Sequence, residues 1–230
     1  HGTVNAPECH DDIDLGARPR YHVGMKPVVE GFPFEHTPIR SIPCVVLDLE
    51  TTGFAPPVAK VTEVAMISLT GDAEEEFHTL IDPGVPIPPN ITDLTGITDA
   101  MVRGKPTMRE VLPVIASLLQ GSLFVAHNVP FDWSFISHAW REFYQVPLQM
   151  PSLCTLRLSR KYLGLSSNKL GVVAQHLGVK LTDAHRAMGD TLALKGVLRE
   201  LWTVLERKGL KTGGDLLRAG LIFPTTPPAR

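Results

Sequence analysis

Two acidic residues, Asp48 and Glu50, stand at the end of a short apolar run, residues 44–49 (Cys-Val-Val-Leu-Asp-Leu). In a strand, residues i and i+2 point the same way, so both carboxylates project side by side from the strand end. Crowded together and losing water, they repel each other. A bound divalent cation removes that penalty, and an all-oxygen donor set favours Mg²⁺ or Mn²⁺. Taken alone, the pair also reads as a helix cap or a solvated strand end.

Other acids lie further along. Residues 124–132 (Phe-Val-Ala-His-Asn-Val-Pro-Phe-Asp) read as a strand, a short turn and a helix opening at Asp132. An acid in a first turn ordinarily compensates the helix dipole. Here it also follows a strand end, where open α/β sheets gather their sites. His185 and Asp190 open the longest helical pattern, residues 184–207. On one helix they would stand about 140° apart and flank a site from neighbouring angles.

The elements that must position these groups follow from periodicity. Residues 44–49 are expected as a buried central strand, and 61–69 with 77–81 as an antiparallel pair turned at Gly71-Asp72. Residues 83–89 carry four prolines and read as a loop. Helices are expected at 108–119, 131–144, 153–163, 170–177 and 184–207, with another buried strand at 123–126. The order predicts an α/β domain, a mixed sheet flanked by helices, over residues 41–207. A proline-rich arm (1–40) precedes it and a tail (208–230) follows. The tail's apolar residues, among them Leu216, Leu217 and Leu221, either fold back on the core or offer a patch to a polymerase subunit or sliding clamp.

The chain has 230 residues, 43% hydrophobic and 20% charged, an ordinary globular composition. No apolar run approaches the ~20 residues that cross a bilayer, so no membrane role is expected. Residues 1–14 are polar and acidic and do not read as a secretory signal; His1-Gly2-Thr3 reads as a trimmed end. The cysteines, Cys9, Cys44 and Cys154, are too few and too scattered for a disulfide framework, which points to a reducing, cytoplasmic setting. From Arg157 onward there are 13 Lys and Arg against 5 Asp and Glu, and before it 9 against 19. An acidic front and a basic rear suit a polyanion held near a negative pocket, although basic helix faces are also common.

Together, Asp48-x-Glu50, Ala-His-Asn-x-x-Phe-Asp132 and His185-x-x-x-x-Asp190 resemble the three motifs of the DEDDh exonucleases, a family that includes the proofreading subunit of bacterial DNA polymerase III. The resemblance covers about residues 43–206 and extends to the stretches 94–98 and 168–178. It implies a ribonuclease H-like fold and removal of nucleotides from 3' ends with two Mg²⁺ or Mn²⁺ ions. By motif, Asp48 would bridge both ions, Glu50 and Asp190 would complete one site, Asp132 would hold the other, and His185 would be the general base. The chemistry is consistent: phosphodiester hydrolysis needs an activated water, a neutralised phosphate and a stabilised leaving oxygen, which two divalent ions supply. An imidazole, with an ordinary pKa of about 6.5, suits the base.

Thr51, Thr52 and Gly53 follow the acidic pair and are expected to approach the terminal nucleotide through their backbone. Phe54 and Phe131 either stack on bases or pack in the core, and Asn128 either orients substrate or caps its helix. His127 reads as structural. The expected substrate is the 3' end of single-stranded DNA. Trimming of RNA 3' ends is the alternative, since no motif reports on the 2'-OH. A catalytically silent docking fold stands third, because all five active-site groups are present.

Overall fold

The computed structural model describes residues 32–182 and 184–225. Most of the proline-rich arm, including Cys9, lies outside the described residues. A single sheet of six strands organises the rest, in the order β3-β2-β1-β4-β5-β6. Its centre is β1 (Cys44–Thr51), whose residues 44–47 are all buried. β2 (Val61–Thr70) pairs antiparallel with β1, and β3 (Ala73–Leu80) antiparallel with β2. β4 (Leu123–Ala126) and β5 (Pro151–Cys154) add in parallel on the other side, and β6 (Ile222–Pro224) closes that edge antiparallel. The expected mixed sheet with helices on its faces is what forms.

The helices are α1 (Pro89–Thr95), α2 (Asp99–Val102), α3 (Met108–Leu119), α4 (Val129–Tyr144), α5 (Thr155–Tyr162), α6 (Leu170–His176), α7 (Ala187–Arg207) and α8 (Gly213–Arg218). Strand alternation divides the core into two layers. Val45, Leu47 and Leu49 of β1 pack on Leu112 and Ile115 of α3 and Trp133 and Ile136 of α4. Cys44 and Val46, one residue out of phase, pack on Leu194, Val197, Leu198 and Leu201 of α7. The even-numbered residues of β1 thus face α7, a parity that decides where the acids go.

Several boundaries differ from the sequence expectation. Residues 151–154 form β5, and the helix begins only at Thr155. A buried strand of four residues carries too short an apolar run to be told from a helix start. β3 begins at Ala73 because Glu74, Glu75 and Glu76 occupy an exposed sheet edge. Charges on an edge strand look like loop sequence. The long helix starts at Ala187, not Ala184.

The tail folds back. Leu216, Leu221 and Ile222 are buried in the α7-side layer beside Phe32, Phe34 and Ile39. Gly213 and Gly214 donate backbone hydrogen bonds to Thr37 and Glu35 carbonyls at 2.9 and 2.8 Å. A methyl group at Gly213 would press into the Phe34 carbonyl and come within 2.9 Å of the Phe32 ring. Gly213→Ala is therefore expected to destabilise the protein by about 1–3 kcal/mol, the usual range for overpacking. Thermal denaturation checks this; an unchanged Tm would mean that residues 32–41 do not clamp the tail.

Candidate active site

Asp48 and Glu50 share the parity of Val46, so both carboxylates emerge on the α7 side of the sheet. There the first turn of α7 presents Asp190. One carboxylate oxygen from each of Asp48, Glu50 and Asp190 lies within 4.8 Å of the others. Each of the three is only partly buried, so the group opens to solvent.

Asp132 approaches from elsewhere. β4 pairs with β1 only as far as Val46, then the chain turns into α4. That leaves the edge of β1 beyond Val46 open, and the Asp132 carboxylate takes the Leu49 backbone N–H there. Asp132 is 4% exposed and lies outside the three-carboxylate group, yet its charge bears directly on Asp48.

His185 does not sit on the helix. It lies in the preceding turn with φ 65°, and Arg186 is the N-cap of α7. The left-handed turn aims its backbone N–H at Asp190 Oδ2, 2.9 Å away. The side chain is exposed, and its charge bears on Asp190. The His185–Asp190 spacing thus builds a clasp across a helix start rather than two positions around one helix.

The electrostatics are those of crowded acids. Burial pushes the Asp48 carboxyl far above the usual carboxylate range, and Asp132, Asp190 and Glu50 push it further. Burial lifts Glu50 to about 7, with Asp190 and Glu63 adding repulsion and Arg186 opposing them. Burial lifts Asp132 to about 8; hydrogen bonds from its own and the Leu49 backbone hold it back, and Glu50 adds to the rise. Burial also raises Asp190, against the His185 N–H and the His185 charge.

Glu63, which sequence reasoning missed, is the exception. It lies across from Glu50 in the β1–β2 register, its side chain wholly buried. Burial alone would raise its carboxyl, but donors from His78, Arg186 and Ala187 outweigh that and hold it at about 2. A signal was available: a glutamate inside the otherwise unbroken buried run of β2 must have partners.

The substrate candidates fall into two groups. Thr51 and Thr52 are buried and engaged: Thr51 Oγ1 donates to the Gly53 carbonyl at 2.6 Å, and Thr52 Oγ1 accepts the Lys60 N–H at 2.9 Å. They stiffen the turn that carries Gly53 and Phe54. Phe54 is 89% exposed and does not pack in the core. Phe131 is half-buried against Phe135, ring centroids 5.3 Å apart. Asn128 is exposed and its side chain makes no cap hydrogen bond. His127 is structural: its ring nitrogens reach Thr155 Oγ1 and the Asn168 carbonyl at 3.0 and 2.8 Å.

The donor set suits a divalent metal. Three carboxylates converge, all repelling, and among the described residues no ion pair neutralises Asp48 or Glu50. Hard oxygen donors that gain from added positive charge are what such an ion requires.

Comparison with known proteins agrees. A family model described as Exonuclease matches residues 45–198. The DNA polymerase III subunit epsilon of Aquifex aeolicus is 39% identical over 164 residues, covering 69% of this chain and 81% of that protein. A PolC-type DNA polymerase III from Clostridium perfringens is 41% identical over 157 residues, covering 67% of this chain. The chain spans only 11% of that polymerase's length. Among solved structures, exonuclease X in complex with 5'-overhanging duplex DNA superposes with a TM-score of 0.57 at 22% identity, over 72% of this chain and 93% of that one. The mixed sheet and its flanking helices are thus of the ribonuclease H-like kind seen in exonucleases. The family match runs from within the strand that carries Asp48 and Glu50 into the helix that carries Asp190, and the chain belongs to the exonuclease family.

Proposed function

We propose that this chain hydrolyses phosphodiester bonds from the 3' end of DNA and releases nucleoside 5'-monophosphates, with two Mg²⁺ or Mn²⁺ ions as cofactors. The observation that carries this reading is the convergence of Asp48, Glu50 and Asp190 within 4.8 Å at an open sheet end, with Asp132 beside them. Asp48, Glu50 and Asp190 would hold one ion, and Asp48 with Asp132 the other. Bound there, the ions would neutralise phosphate charge, acidify the attacking water and stabilise the leaving oxygen.

The chain's own residues do the rest. The His185 imidazole, exposed beside Asp190, accepts a proton from the attacking water as its oxygen adds to phosphorus and the P–O3' bond breaks. The rigid Thr51–Gly53 turn presents backbone to the terminal nucleotide. Phe54, a large apolar ring left in water beside it, stacks on the terminal base. Phe131 and Asn128, at the start of α4, flank the strand on the Asp132 side.

The named relative from Aquifex aeolicus is a polymerase III subunit, which supports a polymerase as partner. Of the tail's apolar residues, Leu216, Leu221 and Ile222 are buried in the chain's own core, while Leu217 stays 41% exposed. No described helix is long and apolar enough to cross a membrane.

Two measurements follow. Glu50 and Asp132, at about 7 and about 8, bind protons in the fold that they release in the unfolded chain, where carboxyls titrate near ~4. Without metal, stability should therefore fall as pH rises from about 5 to about 8. Asp48→Asn should raise the Tm in EDTA, and Mn²⁺ should stabilise wild type by mass action far more than it stabilises this variant. A lower Tm for Asp48→Asn in EDTA, or equal Mn²⁺ shifts, would contradict the metal-holding geometry.

In the second, 3'-labelled single-stranded DNA and RNA are incubated with Mn²⁺, Mg²⁺ or EDTA. Monophosphates should appear from DNA with either ion and not with EDTA, and His185→Ala should turn over ~10²–10⁴-fold more slowly. Release from RNA alone would reassign the substrate, and release from neither would overturn the reading. His185→Ala activity close to wild type would remove His185 as the base.

A further inference from the structure

The buried Glu63 is placed to act on the site without belonging to it. Its carboxylate is met by Arg186 Nη2 at 2.7 Å, by Arg186 Nε at 3.2 and 3.3 Å, by the Ala187 backbone N–H at 2.9 Å and by His78 Nε2 at 2.8 Å. Arg186 and Ala187 lie between His185 and Asp190, so this grip fixes the peptide joining the two. The His185 N–H bond to Asp190 closes the same turn from the other side. Thr191, one residue past Asp190, adds a hydrogen bond to the Ala65 carbonyl of β2 at 3.3 Å. The start of α7 is thereby tied to β2 at two points, and β2 is in fixed register with the strand carrying Asp48 and Glu50.

The same grip restrains a cation. Arg186 is the N-cap of α7 and its charge reaches Glu50.

We propose that Glu63 is the positioning residue of this site: its buried carboxylate fixes the turn into α7 so that His185 and Asp190 face Asp48 and Glu50. The proposal rests on the reading that the carboxylates hold divalent ions. It is a role exerted through other residues, as with the outer partners that orient metal ligands elsewhere.

Calorimetric titration of the whole chain with Mn²⁺ tests it. Glu63→Gln, with folding checked by its melting curve, should bind Mn²⁺ about 10–100-fold more weakly, with a comparable fall in kcat and little change in KM for single-stranded DNA. Unchanged affinity in Glu63→Gln overturns the proposal. Should Glu63→Gln not fold, His78→Ala loosens the same carboxylate from its half-exposed side. It should weaken Mn²⁺ binding several-fold, and no change would be equally decisive.

Hydrogen exchange at the His185 amide in metal-free protein needs neither ion nor substrate. It should be about tenfold faster or more in Glu63→Gln, reporting a loosened clasp on Asp190; an unchanged rate overturns the positioning role. A wild-type chain that binds no Mn²⁺ would end the metal reading instead, and the exchange rate would then decide the role of Glu63.

Discussion

Repulsion among carboxylates is the constraint around which this fold is arranged. Asp48 feels burial and the charges of Asp132, Asp190 and Glu50 at once. Left alone, such a group lowers stability as its members ionise. The chain tolerates it because each acid is held by covalent geometry and backbone hydrogen bonds that the repulsion cannot easily break. Two sit on a central strand, one takes a strand-edge N–H, and one is clasped by the turn before its helix. A site crowded in this way gains from added positive charge, which is the property that metal-assisted phosphodiester chemistry exploits.

The arrangement uses few devices. Strand parity sends Val45, Leu47 and Leu49 to one layer and Val46, Asp48 and Glu50 to the other. The early end of β4 pairing frees the edge of β1 for Asp132. Antiparallel pairing with β2 places Glu63 opposite Glu50, where it can reach the start of α7. Glu63 is itself paired with Arg186 and hydrogen-bonded to His78, so it adds a fixed anchor to the site without an uncompensated buried charge.

Much of this was legible in the sequence because it depends on local patterns. The apolar run before Asp48, the run at 123–126 and the stripe of Leu194, Val197, Leu198 and Leu201 each declare an element by periodicity. Asp48 and Glu50 could be paired from strand geometry alone. What was not legible depends on contacts distant in sequence. β6 is a strand only because β5 lies beside it, and β3 is acidic enough at its start to pass for a loop. The role of Glu63 arises from partners 123 and 124 residues away, which no window along the chain can reveal. The pattern of α7 runs smoothly back to Ala184, so His185 reads as helical, whereas its left-handed backbone delays the helix start by three residues, to Ala187.

The most direct test of the account is a crystal structure of the Mn²⁺-soaked protein read by anomalous scattering. Two peaks roughly 3.5–4 Å apart, the spacing of two-metal phosphodiester sites, should appear with Asp48 between them. Glu50 and Asp190 should be on one and Asp132 on the other. A map without density at Asp48, or with manganese bound only at other acids, would contradict it.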